Sequence, residues 1–179
     1  FDFQGGLFKA FRDFDGTLTR PGALDFSVIK RAIGCPDGIP VLEFMAGVDD
    51  QERRAAMARQ LDRFELDGAA ASRPNEGAEQ IVASIRKAGL PVGILTRNSR
   101  ASTLRALENF GDMDASDMDV IVTREDPVKI KPSGQGVLLA AREMGVETAH
   151  MLMVGDFSFD MEAGHDAGAL TAYLANGKP

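Results

Sequence analysis

The stretch Arg12-Asp13-Phe14-Asp15-Gly16-Thr17-Leu18-Thr19 overlaps the end of an apolar run at residues 7–14 and decides the fold. Asp13 and Asp15 leave the predicted strand two residues apart, so both carboxylates can project into one pocket. One can then act as a nucleophile while the other gives or takes a proton. Gly16 permits a tight turn whose backbone N–H groups could hold a phosphate. Asp and Gly are also common in plain strand-end turns, but the Gly-Thr-Leu-Thr continuation favours the catalytic interpretation.

Short apolar runs alternate with amphipathic stretches along the 179 residues. Runs rich in Val, Ile, Leu and Phe are typical of strands buried on both faces of a parallel sheet. They lie at residues 7–14, 92–96, 120–123, 151–154 and 170–174. Helical patterns lie between them, at residues 77–87, 99–110 and 133–145, the last with Ser133 as the expected N-cap. This alternation predicts a doubly wound α/β domain, with a Rossmann-like parallel sheet of about five strands sandwiched by helices.

Residues 19–74 interrupt this alternation because they contain no convincing strand. Helical patterns occur there at residues 26–33, 41–45 and 49–66, and turn signals bound the segment on both sides. We therefore expect an α/β core of residues 1–18 and 75–179 and a small helical cap of residues 19–74 inserted after the first strand. The alternative is a pair of structural helices packed on the side of the sheet.

Two further signals follow predicted strands and offer groups that could bind a phosphate. In Thr96-Arg97-Asn98-Ser99 a helix follows the second strand, so the Thr96 hydroxyl and the neighbouring groups can meet an anion at a helix N-terminus. Taken alone, the segment is equally typical of a plain N-cap at Asn98 or Ser99, and both interpretations can hold together. Lys131 precedes a proline that keeps it extended, so it can present a fixed positive charge to a phosphoryl group. A lone lysine is more commonly a solvated surface residue.

A second pair of carboxylates follows the fourth predicted strand. Asp156 closes that strand, and Asp160 lies one helical turn later on the same face. Carboxylates at such a strand-to-helix junction suit a hard cation with oxygen ligands, as magnesium is. The structural alternatives are a helix N-cap for Asp156 and a favourable acid in the first helical turn for Asp160.

These four signals, in this order, resemble the four motifs of the haloacid dehalogenase-like hydrolases: Asp-x-Asp-Gly-Thr, a strand that ends in Thr, Lys-Pro, and Gly-Asp-x-x-x-Asp. The resemblance extends over nearly the whole chain. The helical insertion between the first and second motifs is similar to that of the helical-cap branch, which includes phosphoglycolate phosphatase-like enzymes. The resemblance implies a sheet with the strand order 5-4-1-2-3 and a central first strand.

The resemblance also implies a role for each motif residue. Asp13 would be the nucleophile that forms an aspartyl-phosphate, and Asp15 would protonate the leaving alcohol and then activate a water molecule. The Mg²⁺ ligands would be Asp13, the backbone carbonyl of Asp15, Asp156 and Asp160, the last directly or through water. The groups around the phosphate would be Gly16, Thr96, Arg97, Asn98 and Lys131. The implied reaction is hydrolysis of a small phosphorylated metabolite, a phosphoglycolate-like phosphate monoester.

Particular residues favour or disfavour the other reactions that proteins with this core could catalyse. A dehalogenase needs neither Asp15 nor magnesium, and a phosphonate-cleaving relative would need a lysine in the cap, where Lys30 is the only one and lies in an ordinary amphipathic helix. A phosphomutase such as β-phosphoglucomutase would use the same core, and a non-hydrolytic phosphoacceptor or binding module would use the same carboxylate pocket.

Two features depart from the family pattern: Arg12 stands where a bulky apolar residue is usual, and the chain ends at Pro179, soon after the fifth strand.

Composition and charge limit the kinds of partner that the protein is expected to bind. The net charge of −7 argues against broad nucleic-acid binding, and no apolar run is long enough for a membrane span. The N-terminus lacks the pattern of a secretory signal, so we expect a cytoplasmic protein. Nothing in the sequence indicates its oligomeric state.

The single cysteine, Cys35, is expected to be a small filler residue. The residues 49–66 carry four arginines interleaved with Glu52, Asp62 and Glu65, which favours a solvated charged face over an anion site.

Overall fold

The computed structural model describes residues 9–177, with side chains from Asp13 onward. Five parallel strands form one sheet in the order β3-β2-β1-β4-β5. They are β1 (Lys9–Arg12), β2 (Val92–Leu95), β3 (Val120–Val122), β4 (Met151–Gly155) and β5 (Leu170–Tyr173). The predicted α/β class with a parallel sheet is confirmed. Residues 7 and 8 of the first predicted strand, the side chain of Arg12 and the chain end at Pro179 lie outside the described part.

Seven helices accompany the strands in the described residues. They are α1 (Phe26–Ile33), α2 (Val41–Ala46), α3 (Gln51–Ala71), α4 (Ala78–Lys87), α5 (Arg100–Leu107), α6 (Gln135–Glu143) and α7 (Ser158–Asp166). The expected N-cap at Ser133 is wrong, because Gly134 occupies the cap position of α6 and no side chain caps it. Gly134 is fixed from the neighbouring helix instead, since its N–H donates to the Asp166 carboxylate at 2.7 Å. Within residues 9–177 no helix has the length and apolar character needed to cross a membrane.

The core lies on both faces of the sheet, as the alternation of side chains along a strand requires. Val92 and Ile94 of β2 belong to a buried cluster with residues of α4 and α5. Leu95 of the same strand belongs to a second cluster, with residues of α6, α7, β3 and β4. The helices α4 and α5 therefore cover one face, and α6 and α7 cover the other.

The helices α1, α2 and α3 form a third buried cluster of their own, which includes Cys35 as a filler residue. The two ends of this segment meet: Thr19 and Pro74 form an antiparallel bridge, and the Asn75 N–H donates to the Leu18 carbonyl at 2.7 Å. Helix α3 extends to Ala71, beyond the predicted end at residue 66. The small residues in its last turns, such as Gly68 and Ala69, allow this extension to pack closely on its neighbours.

The register of β1 places the functional motifs at one edge of the sheet. Arg12 pairs with Ile94 on one side and with Val154 on the other. The residues that follow these three positions therefore leave the sheet together at its carboxyl edge, which is where ligands of open α/β sheets bind. All four motifs predicted to carry the chemistry lie at this edge.

Candidate active site

The turn after β1 is built around Gly16, which adopts a left-handed φ of 74°. A Cβ atom at this position would lie 2.3 Å from Asp156 Oδ2, so only glycine fits against that carboxylate. Two asparagine side chains hold the other side of the turn. Asn75 donates to the Thr17 carbonyl at 3.2 Å, and Asn176 donates to both the Gly16 carbonyl and Asp156 Oδ2, the latter at 3.4 Å. The glycine thus brings the first and fourth motifs into contact.

Lys131 lies between the first and fourth motifs and is only 3% exposed. Its Nζ donates to Asp13 Oδ1 and, at 2.6 Å, to Asp160 Oδ1. The second oxygen of Asp160 accepts the Phe157 N–H at 3.0 Å. Lys131 is therefore not the solvated surface lysine of the alternative interpretation, and Asp160 combines the structural role of a first-turn acid with a contact in the site.

Burial dominates the electrostatics of this pair. It raises the pKa of Asp13 to about 7, because desolvation disfavours the charged carboxylate more than Lys131 stabilises it. Burial alone would lower the pKa of Lys131, but Asp13 and Asp160 outweigh it and raise that pKa. The lysine thus stays charged, and a further cation near Asp13 would favour the ionised carboxylate.

Three carboxylates at this edge could share a metal ion. Asp13, Asp156 and Asp160 each offer one oxygen atom, and these atoms all lie within 4.8 Å of one another. They are exclusively oxygen ligands in a largely buried setting, which is the donor set that a hard divalent cation prefers. The residues present therefore fit the magnesium ion that the sequence predicts.

Asp15 lies beside the carboxylate cluster and is held by two donors. Asn98 Nδ2 donates to its Oδ2, and the Thr19 hydroxyl donates to its Oδ1 at 3.4 Å. Burial raises the pKa of Asp15 above its ordinary value, and the nearby charge of Glu65 acts in the same direction, while the hydrogen bond from Asn98 opposes it. A carboxyl group with a raised pKa can hold a proton closer to neutral pH, as a general acid must.

The second motif brings Thr96, Arg97 and Asn98 to the same edge as the carboxylates. The buried Thr96 hydroxyl accepts the Asn98 N–H at 3.1 Å, and the N-cap of the following helix is Ser99. The guanidinium of Arg97 donates to the Lys131 carbonyl at 2.5 Å, contacts the Glu43 carboxylate at 2.6 Å and stacks over the Phe159 ring. The structure thus brings Thr96 and Asn98 to the site and places the Arg97 guanidinium at its edge, between the Lys131 carbonyl and Glu43 of α2.

A cavity of about 560 Å³ opens over the carboxylates. Its floor is formed by the motif residues, and its walls come largely from residues 20–42 together with Leu61 and Glu65 of α3. Apolar side chains such as Leu24, Phe26 and Val41 line these walls, and Lys30 adds a positive charge. The cavity therefore lies between the sheet edge and the helices α1–α3.

Comparison with known proteins agrees with this arrangement. The sequence profile of the haloacid dehalogenase-like hydrolases matches residues 20–174. The chain belongs to this family. The match starts just after the Asp-x-Asp-Gly-Thr motif and covers the other three, and the resemblance inferred from the motifs is confirmed.

The relatives of this hydrolase include enzymes with and without an assigned substrate. An N-acetylmuramic acid 6-phosphate phosphatase of Pseudomonas aeruginosa is 29% identical over an alignment that is 184 residues long with its gaps and covers 92% of this chain and 80% of the relative. An uncharacterized hydrolase of Saccharomyces cerevisiae is 30% identical over 165 residues, 92% of this chain and 75% of that one. The crystal structure of a hydrolase from Pseudomonas syringae superposes with a TM-score of 0.77 at 21% identity, over 96% of this chain and 87% of that chain. The sequence relatives are hydrolases, as the family membership of this chain indicates, and the structural neighbour shares its fold.

Sequence reasoning missed a buried polar contact between α3 of the hydrolase and the sheet edge. Glu65 was expected on a solvated face, but it is only 4% exposed, and its carboxylate contacts Arg124 at 2.6 Å. The expectation was wrong because Glu65 lies four residues after Leu61 and eight after Met57, on the buried face of α3. That spacing was the one available signal; the partner, Arg124, lies too far along the chain to be inferred from it.

Proposed function

We propose that this hydrolase is a magnesium-dependent phosphatase that hydrolyses a small phosphate monoester through an aspartyl-phosphate on Asp13. The observation that carries the proposal is the meeting of Asp13, Asp15 and Lys131 with Asp156 and Asp160 at one sheet edge beneath one cavity. A nucleophile, an acid–base group and a fixed cation in one pocket are what phosphoryl transfer requires.

The proposed first step uses Asp13 and Asp15. A carboxylate oxygen of Asp13 attacks phosphorus, the bond between phosphorus and the ester oxygen breaks, and Asp15 donates its proton to that oxygen. In the second step the ionised Asp15 takes a proton from a water molecule whose oxygen attacks phosphorus. The bond between phosphorus and Asp13 then breaks, which releases inorganic phosphate and returns Asp15 to its protonated state.

The remaining residues hold the phosphoryl group. Lys131, with its ammonium already at Asp13, would donate to phosphoryl oxygens, and Thr96 with the backbone N–H groups of the Gly16 turn would donate to the others. Asp13, Asp156, Asp160 and the Asp15 carbonyl would bind the magnesium ion. When bound, that ion would neutralise negative charge that develops on the phosphoryl oxygens.

The cavity supports a small metabolite as the substrate. We propose that residues 19–74 act as a cap over a core of residues 1–18 and 75–179, because the bridge between Thr19 and Pro74 closes the segment off and the cavity lies beneath it. A volume of about 560 Å³ is typical of small-molecule sites. We place a phosphoglycolate-like or sugar-acid phosphate in it, since Arg20, Lys30 and Arg97 add to the positive charge of Lys131 and the Pseudomonas aeruginosa relative is named for N-acetylmuramic acid 6-phosphate.

The test is hydrolysis of an aryl phosphate by the purified protein, with magnesium and with a chelator, followed by a panel of metabolite phosphates. We expect activity that requires the metal and falls at least about 10³-fold in Asp13→Asn, as removal of a nucleophile does. The exposed Asp112→Asn is the matched control and should keep full activity. Phosphate transfer to a second hydroxyl of a sugar phosphate would indicate a mutase instead, and phosphorylation without turnover would indicate a phosphoacceptor.

A further inference from the structure

Glu65 of α3 makes an unusually complete set of contacts for a residue of the helical segment. Its Oε2 accepts the backbone N–H of Ser99 at 3.0 Å and the hydroxyl of Ser102 at 3.3 Å. Both of its oxygens accept from the Arg124 guanidinium, at 2.6 and 2.7 Å. A buried carboxylate with partners on both oxygens is held in one position, and it holds its donors in return.

Arg124 extends these contacts to the loop at residues 96–99, which joins β2 to α5. The same guanidinium nitrogen that contacts Glu65 donates to the Arg97 carbonyl at 3.2 Å. The backbone N–H of Arg124 donates to the Asn98 carbonyl at 3.3 Å. Together with the bond from Ser99 to Glu65, three hydrogen bonds thus fix the two successive peptide groups between Arg97 and Ser99.

The 96–99 loop presents Asn98 to the reacting groups. The Asn98 side chain donates to Asp15 Oδ2, and the Asn98 N–H is fixed by the Thr96 hydroxyl. A shift of this loop would therefore move the hydrogen bond that orients the Asp15 carboxyl group. Within the described residues, a chain of direct contacts runs from Glu65 through the loop to Asp15.

We propose that Glu65 is a positioning residue for proton transfer by Asp15, acting through Arg124 and the 96–99 loop. The proposal rests on the proposed function, because it requires Asp15 to be the general acid. It assigns a catalytic consequence to the contacts between α3 and the loop. When α3 is packed against the 96–99 loop, the loop holds Asn98 where it orients the Asp15 carboxyl group. Proton donation by Asp15 therefore depends on the packing of α3.

The test compares two leaving groups in the Glu65→Gln variant. Alkyl phosphates depend on a proton from Asp15, whereas aryl phosphates with acidic phenols depend on it little. The value to compare is kcat/KM, because it reports the first step, in which the leaving group departs, and not the second step that both substrates share. Because general acid catalysis contributes about 10²–10⁴-fold, we expect kcat/KM for an alkyl phosphate to fall at least about tenfold more than kcat/KM for an aryl phosphate. Equal losses with both substrates, or no loss, would overturn the proposal.

Asp62→Asn is the matched control for a purely structural role. Asp62 lies on the same helix and also contacts Arg124, at 2.6 Å, but within residues 9–177 its side chain makes no hydrogen bond to the 96–99 loop. If Glu65 only tethered α3, the two variants would change the two substrates alike. We expect Asp62→Asn to keep the wild-type ratio of alkyl to aryl activity, and a changed ratio in this variant would contradict the assignment to Glu65.

A second variant covers the case in which Glu65→Gln does not fold. Arg124→Lys keeps a positive charge beside Glu65 and Asp62 but loses the planar group that reaches the loop carbonyl, so we expect the same selective loss with alkyl phosphates. In a folded Glu65→Gln protein, Asn98→Ala should add less than its single effect, since both act on Asp15. Additive effects would overturn the proposal. Failure of the wild-type protein to hydrolyse either substrate would instead count against the proposed function.

Discussion

Replacement of Gly16 by alanine tests how the turn after β1 holds the site together. The residue has a φ of 74°, where an L-amino acid costs about 1–2 kcal/mol. The new methyl group would also lie 2.3 Å from Asp156 Oδ2 and 2.5 Å from its Cγ, and overpacking of this kind costs about 1–3 kcal/mol. We therefore expect Gly16→Ala to lower the free energy of unfolding by about 2–5 kcal/mol and to displace Asp156.

The assay is urea unfolding with a chelator present, followed by titration of activity with magnesium. Gly89→Ala is the control, because Gly89 has a similar φ of 70° and, apart from its two chain neighbours, nothing lies within 4 Å of its Cβ position. It should lose only the conformational contribution, about 1–2 kcal/mol, and should keep its magnesium requirement unchanged. If Gly16→Ala lost no more stability than Gly89→Ala and was activated at the same magnesium concentration, the argued contact between the first and fourth motifs would be refuted.

Three further predictions concern the charges around the site. Replacement of Lys131 by methionine leaves Asp13 and Asp160 buried without their cation, so activity should fall at least about 100-fold, as measured by steady-state kinetics. The pKa of Asp13 is raised from 3.8 to about 7, so the folded state binds the Asp13 proton more tightly than the unfolded chain does. Asp13 should therefore contribute its full stabilisation below about pH 4, and that contribution should be lost as the pH rises to about 7. Chemical unfolding with a chelator, repeated across this pH range, measures the free energy of unfolding that tests it. Glu43→Gln breaks a pair with Arg97 whose carboxylate side chain is 39% exposed, and thermal unfolding should show a loss below about 1 kcal/mol. A larger loss would contradict the view that solvent screens the pair.

The sequence allowed the carboxyl edge of the sheet to be predicted because each motif is local. Asp13, Thr96 and Asp156 each follow a short apolar strand, and parallel strands bring their carboxyl ends to one edge whatever their separation along the chain. The tight turn at Gly16 could likewise be predicted, because the glycine directly follows the Asp-x-Asp pair. The close contact of Gly16 with Asp156 could not be predicted, since it depends on the distance between two loops.

The contacts between the helical segment and the sheet edge were beyond the reach of the sequence. Glu65 and Arg124 lie 59 positions apart, and the pairing of Arg97 with Glu43 spans 54 positions. The spacing of Glu65 from Met57 and Leu61 indicates the buried face of α3. It does not indicate the partner, because the contact with Arg124 depends on how α3 packs against the 96–99 loop.

The most direct test of the central claim is detection of a phosphoryl group on Asp13. An aryl phosphate would be mixed with Asp15→Asn protein and magnesium, quenched with acid and digested for peptide mass spectrometry. We predict that phosphorylated peptide containing Asp13 accumulates, because the acid–base group needed to activate water is missing while the leaving group needs no proton. Turnover by Asp13→Asn, or a phosphoryl group on any other residue, would contradict the account.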